Sequence, residues 1–324
     1  MLDFKNILIT GESGFIGSHL INYFSNKYKN YSLHGLDMLT YAANRAYTKK
    51  LDLNPNYKFH QIDICNRKAI FTLFNRYQFT DVIHLAAESH VDNSIDNPLL
   101  FVKTNIIGTV NLLDAFKQYS TGKFHHVSTD EVYGDLDFKD SAFCEKHPYK
   151  PSSPYSASKA SSDHFVRAYN RTYGINTIIT NCSNNYGPHQ HAEKFIPTII
   201  YSIVNNKKIP IYGSGENIRD WLYVEDHIDA IDKLFHYGKS GETYNIGANN
   251  ELSNIDLVHK ICDIFHFKGL HSKPKELITF VDDRLGHDNR YAIDYSKLKN
   301  ELNWEPQFVF EEALSKTIDW YIKQ

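Results

Sequence analysis

Short apolar runs alternate with segments of helical periodicity over the first half of the chain. Six runs bounded by turn or polar residues are predicted to be strands, at residues 5–10, 32–37, 58–64, 81–87, 123–129 and 176–182. Between two of them Ile70, Leu73, Phe74 and Tyr77 recur at helical spacing, which predicts an amphipathic helix over 67–77. Strands that alternate with helices form βαβ units. The pattern therefore predicts an α/β fold with a doubly wound parallel sheet.

A glycine triplet follows the first predicted strand directly. Gly11, Gly14 and Gly17 precede and open a helix that is predicted to begin near Phe15. Glycines here let the backbone turn tightly and approach a pyrophosphate, and the helix N-terminus offers unpaired N–H groups. The second strand ends at Asp37, where a carboxylate can bind ribose hydroxyls and repel a 2′-phosphate. The sequence therefore predicts a Rossmann domain that binds NAD rather than NADP.

Residues that follow the other strands are predicted to complete the cofactor site. Asp63 and Ile64 close the third predicted strand and are expected beside the adenine, whereas core packing is the alternative for Leu85 at the end of the fourth. Thr104 falls on a helix, where a polar residue is usually only solvated. The further candidates for cofactor binding are Phe15, Ile16, Leu39, Thr40, Ala86, Ala87 and Ser89.

Tyr155 and Lys159 lie four residues apart in a predicted helix, 154–169, and therefore on one face of it. A tyrosine that helps to oxidise an alcohol must lose its proton near neutral pH, so its pKa of about 10 must fall. Lys159 and a positively charged nicotinamide both favour the phenolate. Such a pair is common by chance, but after a glycine-rich NAD site, and with Thr129 at a strand end, it predicts a dehydrogenase centre.

Two adjacent acids, Asp130 and Glu131, come directly after Thr129. A solvated turn is the ordinary interpretation, since successive residues of a strand point to opposite faces. Both acids reach one site only if the chain leaves extended geometry after Thr129, which the turn residues at 133–135 favour. Two carboxylates held close together cannot both ionise easily, so one becomes a protonated acid beside an ionised base. The pair therefore predicts an elimination that moves a proton and expels water.

Beyond residue 183 the regular alternation stops. A turn-rich stretch at 184–188 is followed by a predicted helix at 195–205, a strand at 242–247 and a last helix at 310–322. We expect a smaller C-terminal substrate domain that is interleaved with the end of the sheet. The predicted division assigns 1–182 and about 219–248 to the NAD-binding Rossmann domain, and 183–218 and 249–324 to a nucleotide-sugar-binding domain.

The bulk properties narrow the classes of function. A formal charge of -3 gives no electrostatic case for nucleic acid or an anionic membrane as a partner. The 17 histidines lack metal-ligand spacing, so no metal is expected. Four isolated cysteines favour reduced thiols and a cytoplasmic protein. No apolar run is expected to approach the length of a membrane span, and no targeting segment is recognised.

Several strings in the chain resemble those of one superfamily. The chain is similar to the extended short-chain dehydrogenase/reductases, and specifically to the nucleotide-sugar 4,6-dehydratases, from about residue 7 to residue 321. The glycine-containing string at 9–17 is shared across the superfamily, whereas STDEVYG together with YSASK and SNNYGP is far more specific. The strings are ITG at 9–11, GFIG at 14–17, HLAAESHVD at 84–92, STDEVYG at 128–134, PYSASKASS at 154–162, NCSNNYGP at 181–188, RDWLYVED at 219–226, YNIG at 244–247 and RYAID at 290–294.

The resemblance implies a hydro-lyase that converts a nucleoside-diphosphate glucose, with dTDP-glucose expected, into its 4-keto-6-deoxy form. Tyr155 would take the C4 hydroxyl proton while hydride passes to NAD, and Thr129 would hydrogen-bond that hydroxyl. Glu131 would remove the C5 proton, and Asp130 would protonate the departing C6 hydroxyl. Hydride would then return to C6, and Lys159 would also hold the nicotinamide ribose.

The resemblance also implies where the sugar nucleotide binds. Lys194 and Arg219 suit a diphosphate on independent grounds, because cations attract it and arginine forks onto phosphate oxygens. Surface solvation is the alternative for both. The other residues implied are Ser89, Thr129, Asn184, Phe195, Pro210, Tyr212, Asn254, Arg284 and His287 for the substrate, and Asn185 near the nicotinamide.

The chain departs from the family pattern at three places. Glu12 stands where the family has a second glycine, and an acid beside a pyrophosphate is unfavourable unless its side chain faces solvent. Leu285 replaces a proline and Asn289 an arginine, which leaves thymine or uracil open as the base. The loop 135–149 is also shortened.

Three interpretations of the protein's function are compatible with the sequence. The favoured one is a 4,6-dehydratase acting on dTDP-glucose, with UDP-glucose as the alternative. A 4-epimerase or decarboxylase acting on a UDP-sugar would need no adjacent acid pair. A non-catalytic NAD-binding regulator would be expected to have lost Tyr155, Lys159 or one of the acids, and all are present. The family pairs the helices around 99–119 and 154–173, so a homodimer is expected.

Overall fold

A parallel sheet forms the centre of the molecule in the computed structural model, which describes residues 4–283 and 286–324. Within these residues the strands are β1 (Asn6–Thr10), β2 (Ser32–Asp37), β3 (Tyr57–Gln61), β4 (Asp81–His84), β5 (Phe124–Thr129), β6 (Thr177–Cys182), β7 (Asn184–Tyr186), β8 (Ile209–Tyr212), β9 (Ile218–Tyr223), β10 (Thr243–Ile246), β11 (Glu251–Ser253) and β12 (Ile278–Val281).

Helices precede or follow most of these strands. In the same described residues they are α1 (Phe15–Lys27), α2 (Arg67–Tyr77), α3 (Val91–Asp96), α4 (Pro98–Phe101), α5 (Thr109–Tyr119), α6 (Pro154–Tyr173), α7 (Phe195–Val204), α8 (Val224–Tyr237), α9 (Asn254–Phe267), α10 (Ser296–Leu302) and α11 (Phe310–Ile322). A π-helical segment, Val102–Gly108, joins α4 to α5, and a short 3₁₀ helix, Asp130–Tyr133, follows β5.

The large sheet has seven strands in the order β10-β6-β5-β4-β1-β2-β3, and all neighbours are parallel. The direction of strand succession reverses between β1 and β4, which is the hallmark of a doubly wound sheet. The predicted fold class is therefore confirmed. Ligands of such sheets bind in the crevice beyond the carboxyl ends of the strands at this reversal.

Alternate residues of the central strands build two separate cores. Ile7 and Ile9 of β1 belong to one apolar cluster, and Leu8 between them belongs to another. Because successive side chains of a strand point to opposite faces, the two clusters lie on opposite sides of the sheet. Helices α1 and α8 pack together against the first face, whereas α2, α5 and α6 cover the second.

Several predicted boundaries agree with the structure, and two strands are shorter than predicted. Helices α2 and α11 have the predicted ends, and α6 continues past 169 to Tyr173, where Gly174 in a left-handed conformation (φ 69°) ends it. Strand β3 ends at Gln61 and β4 at His84. Residues 63–64 and 85–87 therefore lie in the loops beyond the strands. After β4 the side chain of Thr10 replaces a strand partner, since its Oγ1 accepts the backbone N–H groups of Leu85 and Ala86 (3.2 Å each).

The chain leaves the large sheet after β6 and enters a smaller one. Only Ser183 separates β6 from β7, which pairs with β9, and β9 pairs in turn with β11. Strands β8 and β12 form a separate parallel pair. Helix α8 and β10 then return to the large sheet, so the C-terminal part is interleaved with it as expected.

The continuous helical run Pro98–Tyr119 corrects one expectation. Its 22 residues are long and apolar enough to cross a membrane by length and composition, although no run of that length was expected. Half of its apolar window is buried inside the protein, where Leu112, Leu113 and Phe116 contribute to the core. The burial explains the composition, because this run is also a core helix of the sheet domain.

Candidate functional site

A cleft of about 340 Å³ lies beyond the carboxyl ends of the central strands. It runs from the turn after β1 to the segment that follows β6, and it collects most of the residues singled out in the sequence. Those on its wall are Gly11, Gly14, Phe15, Ile16, Gly17, Asp37, Thr40, Asp63, Ile64, Leu85, Ala86, Ala87, Ser89, Thr104, Thr129, Asp130, Glu131, Tyr155, Lys159, Asn184, Asn185 and Lys194.

The glycine turn at one end leaves no room for side chains. Gly11 has a φ of 72°, and a Cβ atom there would lie 2.8 Å from the backbone nitrogen of Ala86. A Cβ atom on Gly17 would lie 2.0 Å from the carbonyl oxygen of Gly11. Helix α1 begins immediately afterwards at Phe15, on the cleft wall. A bare backbone turn leading into a helix N-terminus fits the pyrophosphate of a dinucleotide.

The carboxylate of Asp37 is fixed at the end of β2. Its Oδ1 accepts the backbone N–H of Leu39 (2.8 Å), and its Oδ2 accepts that of Ser13 (3.0 Å). Burial raises the pKa of Asp37, those two N–H groups oppose the rise, and Glu12 adds to it. Each oxygen has a second lone pair, so the group suits ribose hydroxyls. Leu39 acts here through its backbone and does not line the cleft.

Glu12 does not face solvent, so the condition given for an acid beside a pyrophosphate is not the one that holds. It is fully buried and points away from the cleft wall, between β2 and β3. Its Oε1 accepts the hydroxyl of Tyr57 (2.5 Å) and lies 3.6 Å from Arg45 Nη1. A buried charge needs a partner and hydrogen bonds, and Glu12 has both. The acid is therefore compatible with a pyrophosphate site for a reason other than solvent exposure.

The two acids after β5 occupy a 3₁₀ turn rather than a continued strand. The chain leaves extended geometry directly after Thr129, as the sequence predicted, so Asp130 and Glu131 both reach the cleft. Thr129 donates its hydroxyl to Asp130 Oδ1 (3.3 Å) and accepts the backbone N–H of Glu131 (3.3 Å). The local fold therefore ties the three residues into one unit.

Asp130 has the properties of a proton donor. It is 2% exposed, and among the described residues none hydrogen-bonds its Oδ2. Burial raises the pKa of Asp130 well above its ordinary value, and the neighbouring Glu131 and Asp220 raise it further. The charge of Arg219 opposes the shift. One pKa of the acid pair is therefore raised, as predicted, and it is the pKa of Asp130.

Tyr155 and Lys159 lie on the cleft wall on one face of α6, but the expected fall in the tyrosine pKa is not seen. Burial raises the pKa of Tyr155 well above its ordinary value, Glu131 raises it further, and a hydrogen bond from Thr129 opposes the rise. Lys159 Nζ donates to the carbonyl oxygen of Val127 (2.9 Å), and burial lowers its pKa. In this arrangement desolvation outweighs any help from the lysine.

Comparison with known proteins agrees with this geometry. A sequence profile described as GDP-mannose 4,6 dehydratase matches residues 8–317. The dTDP-glucose 4,6-dehydratase of Haemophilus influenzae is 50% identical over an alignment of 332 positions, which covers 98% of each chain. The chain belongs to the GDP-mannose 4,6 dehydratase family.

Solved structures of similar dehydratases have the same fold. The Bacillus anthracis dTDP-glucose 4,6-dehydratase in complex with NAD is 43% identical, with a TM-score of 0.89 over 99% of this chain and 97% of the other. The dTDP-glucose 4,6-dehydratase of Streptomyces venezuelae, with NAD and a dTDP ligand bound, is 39% identical, with a TM-score of 0.92 over 98% and 97%.

Part of the substrate set expected for a dehydratase of this family does not lie on the cleft wall. Arg284 falls outside the described residues. Arg219 donates to the carbonyl oxygens of Ile218 (2.7 Å) and Asp288 (2.9 Å) instead of opening its fork into the cleft. The expected residues absent from the wall, among those described, are Leu39, Phe195, Pro210, Tyr212, Arg219, Asn254 and His287.

Two contacts join the parts of the chain at the far end of the cleft. Lys194 Nζ donates to the carbonyl oxygen of Ser89 (2.8 Å), and the Tyr212 hydroxyl lies 3.5 Å from Asp92 Oδ2. Two side chains expected to bind the sugar nucleotide therefore contact the loop that follows β4 and helix α3 after it. A ligand that enters here would replace or rearrange these contacts.

The structure adds cleft residues that the sequence analysis did not single out for the dehydratase site. Cys182 ends β6 beside the end of β5, and burial raises the pKa of its thiol to about 12. The rule that ligands meet the carboxyl ends of parallel strands could have found it. The same rule covers three residues that directly follow β2, β3 and β6, namely Met38, Ile62 and Ser183. The other added residues lie farther along the loops, where the rule gives no signal, and they include Ala42, Ala43, Glu88, Gln190, His191 and Glu193.

Proposed function

We propose that this protein is an NAD-dependent hydro-lyase that converts dTDP-glucose into the 4-keto-6-deoxy sugar nucleotide. The observation that carries the proposal is the buried acid of Asp130, held beside Glu131 and Tyr155 in one cleft. Relatives that are dTDP-glucose 4,6-dehydratases, at about half sequence identity, support it. An elimination needs both an acid and a base, and this cleft offers both within one turn of chain.

The dinucleotide end of the cleft supports NAD as the cofactor. Gly11 and Gly17 permit the tight turn into α1, whose N-terminus would meet a pyrophosphate, and Asp37 offers a carboxylate to the ribose hydroxyls. Lys159 would hold the nicotinamide ribose, with Thr104 and Asn185 nearby on the wall. NAD, when bound, supplies the acceptor and later the donor of the hydride.

The chain's own residues would move the protons. Tyr155, activated with the help of Lys159, would take the C4 hydroxyl proton, and Thr129 would orient that hydroxyl by a hydrogen bond. The ketone so formed at C4 acidifies the C5 hydrogen, which Glu131 would remove. Asp130, kept protonated by burial, would donate its proton to the C6 hydroxyl as it leaves as water. Glu131 would give its proton back to C5 as hydride returns to C6, and the proton taken by Tyr155 would replace the one lost by Asp130, so the cycle ends without net oxidation or reduction.

The raised pKa of Tyr155 fits this scheme only if the bound ligands change its surroundings. Burial and Glu131 hold the proton on the phenol in this structure. A positively charged nicotinamide and the Lys159 ammonium beside the ring would favour the phenolate instead. The tyrosine would therefore act as a base only when the cofactor and the substrate are in place, which protects the site from idle proton transfer.

The acid pair also separates this function from other activities of the same fold. A 4-epimerase or a decarboxylase acting on a UDP-sugar shares the oxidation at C4 and has no step that expels water. A regulator without catalysis needs neither acid. Within residues 4–283 and 286–324 no group hydrogen-bonds Asp130 Oδ2, and a role as proton donor in the elimination would account for the cost of burying it. We therefore place dehydration ahead of these alternatives.

The roles at the sugar-nucleotide end are proposed by resemblance. Lys194 lies on the cleft wall near Ser89 and Asn184, where its charge would meet the diphosphate. Arg219 does not line the cleft, and its charge would act on the diphosphate from outside the lining. The remaining residues proposed to frame the sugar and the nucleotide are Phe195, Pro210, Tyr212, Asn254, Arg284 and His287.

Isotope labelling tests the proposal directly. The purified protein is incubated with dTDP-glucose that carries deuterium at C4, without added reductant, and the product is analysed by mass spectrometry and NMR. We expect the loss of one water and the label in the new methyl group at C6. A product of unchanged mass indicates an epimerase, and a label lost to solvent contradicts internal return of hydride. UDP- and GDP-glucose in parallel reactions identify the base that the site prefers.

The division into two domains remains a proposal. Residues 1–182 would bind the dinucleotide, together with a returning segment at about 219–248, and residues 183–218 and 249–324 would bind the sugar nucleotide. The pairing of β9 with β7 and β11 supports a return that begins nearer to α8 than to residue 219. Limited proteolysis in the presence of each ligand would locate the boundary.

We also propose that the protein is a cytoplasmic homodimer. Its four cysteines are free thiols, which suits a reducing compartment. Apolar side chains are exposed on two neighbouring helical segments, Leu99 (68%) and Ile107 (47%) on one, and Phe165 (40%) on α6. A second copy that covered these helices would remove that surface from water.

A charged substitution tests the dimer. Leu99→Asp is compared with Leu270→Asp, where the same change is made at a leucine that is 46% exposed outside these helices. We expect a dimer at micromolar concentration for the parent and for Leu270→Asp, and a monomer for Leu99→Asp, in sedimentation equilibrium. A parent protein that is monomeric at that concentration contradicts the proposal.

A further inference from the structure

Two carboxylates near the dinucleotide turn are joined through a single residue. Ser13 donates its hydroxyl to Glu12 Oε2 (2.6 Å) and its backbone N–H to Asp37 Oδ2 (3.0 Å). Glycine at position 35 of β2 makes room for this arrangement, because a Cβ atom there would lie 2.6 Å from Glu12 Cγ. The acid that replaces a family glycine is thus accommodated by its neighbours and linked to the residue at the ribose position.

An arginine lies on the other side of Glu12. Arg45 follows the cleft-lining residues 42–43, and Asn44 ties this segment to the turn by donating its N–H to the carbonyl oxygen of Ser13 (2.8 Å). Arg45 Nη1 donates to Thr48 Oγ1 (2.5 Å) and lies 3.6 Å from Glu12 Oε1, and Nη2 pairs with Asp52. The guanidinium also lies over the ring of Phe59, 4.3 Å from its centroid. The cation is therefore engaged beneath the turn.

We propose that Glu12 is a positioning residue that sets dinucleotide specificity by holding Arg45 beneath the turn, away from the ribose 2′ position. The inference rests on the proposed binding of NAD at this site. An arginine near the end of the second strand is how Rossmann domains accommodate a 2′-phosphate. Arg45 lies eight residues beyond the end of β2, and Asp37 at that end is the residue proposed to bind the ribose. The buried acid prevents the arginine from binding the wrong dinucleotide.

Glu12→Gln removes the charge and keeps the shape and the hydrogen-bond acceptor for Tyr57. The dissociation constants for NAD and for NADP are measured by titration calorimetry on protein freed of co-purified nucleotide. We expect the preference of the parent for NAD to fall by about tenfold in Glu12→Gln, because the guanidinium, left with the half-exposed Asp52 and the Thr48 hydroxyl, can exchange them for a charged hydrogen bond with the 2′-phosphate. Adding Arg45→Ala to Glu12→Gln should return the ratio to the parent value.

The matched control is Glu276→Gln, the same chemical change at an exposed acid paired with Lys273. It should leave both dissociation constants unchanged. Thermal melting checks folding, and Glu12→Gly, with the glycine of the family at that position, replaces Glu12→Gln if the latter does not fold. The same fall in preference is expected for it.

The outcomes separate this inference from the proposed function. An unchanged NAD-to-NADP ratio in Glu12→Gln overturns the role of Glu12. Equal weakening of both dinucleotides, or a gain for NADP that survives Arg45→Ala, also overturns it, because a merely structural role would give those results. A parent protein that binds neither dinucleotide contradicts the proposed use of NAD instead.

Discussion

The dinucleotide end and the sugar-nucleotide end of the cleft are built in different ways. The first consists of residues that directly follow β1, β2 and β4, and the expected side chains lie on its wall. The second draws on the segments around β8 and β9 and the loop before residue 290. There Arg219 and Tyr212 bond to neighbouring parts of the chain.

The difference follows from how each end is positioned. Parallel strands bring their carboxyl ends to one edge of the sheet, so a residue just after a strand has a predictable place. The small sheets have no such rule, and two side chains expected at that end, Arg219 and Tyr212, make polar contacts with other parts of the chain that a ligand could replace. We therefore expect the chemical centre and dinucleotide end to be rigid, and the sugar-nucleotide end to adjust when its ligand enters. Substitutions at the chemical centre should therefore lower kcat, and substitutions at the sugar-nucleotide end should raise KM.

The largest effect is expected for Tyr155→Phe at the rigid end. Without the phenol the C4 hydroxyl has no base, so turnover should fall by about 10³- to 10⁴-fold, and no reduced nicotinamide should form. Binding of NAD should change little. Single-turnover absorbance of the reduced cofactor and product analysis measure both steps. Tyr237→Phe, on an exposed tyrosine of α8, is the control and should retain parent turnover. A Tyr155→Phe enzyme that still oxidises C4 would refute the assignment of the base.

Glu131→Gln should slow the elimination while oxidation at C4 continues. Loss of the base for the C5 proton is expected to lower product formation by about 10²- to 10³-fold, while oxidation at C4 continues and reduced cofactor accumulates. The same absorbance measurement, with the product quantified by mass spectrometry, tests the division. Product formation at the parent rate would show that Glu131 is not the base.

The sequence predicted the features that neighbouring residues determine, and it did not predict those that depend on contacts between distant parts of the chain. The helical stripe of 67–77, the glycine turn and the departure from extended geometry after Thr129 are local features, and each was predicted from neighbouring residues. The burial of Glu12 was not, because its partners Tyr57 and Arg45 are distant in sequence. The pKa of Tyr155 was predicted from charges alone, and desolvation, which depends on the whole fold, outweighs them in this structure.

At the sugar-nucleotide end Lys194→Ala should affect binding rather than chemistry. Removal of one cation from the diphosphate is expected to raise KM about tenfold, with kcat changed less than about threefold. Steady-state kinetics over a range of substrate concentrations separates the two parameters. The exposed Lys208→Ala, just before β8, is the control and should match the parent. A fall in kcat with an unchanged KM would place Lys194 with the chemical centre and would remove the distinction.

The smallest effect concerns stability at the acid pair. The pKa of Asp130 is raised in the folded protein by burial and by Glu131, whereas in the unfolded chain it is about 3.9. The favourable contribution of the protonated carboxyl is therefore complete below about pH 4, and it is lost as the pH rises through the folded pKa. Asp130→Asn cannot ionise, so it should melt at the parent temperature near pH 4 and about 2 °C higher at alkaline pH.

Thermal melting from pH 4 to pH 9 measures this difference, with Asp137→Asn on an exposed loop as the control that should stay within about 1 °C of the parent throughout. Asp130→Asn should at the same time lose about 10²-fold in product formation, since the acid for the C6 hydroxyl is gone. A gain in stability with a loss of activity would mean that the buried acid is kept for chemistry. A variant less stable than the parent at every pH would mean that Asp130 supports the fold, and would leave the elimination without its proposed acid.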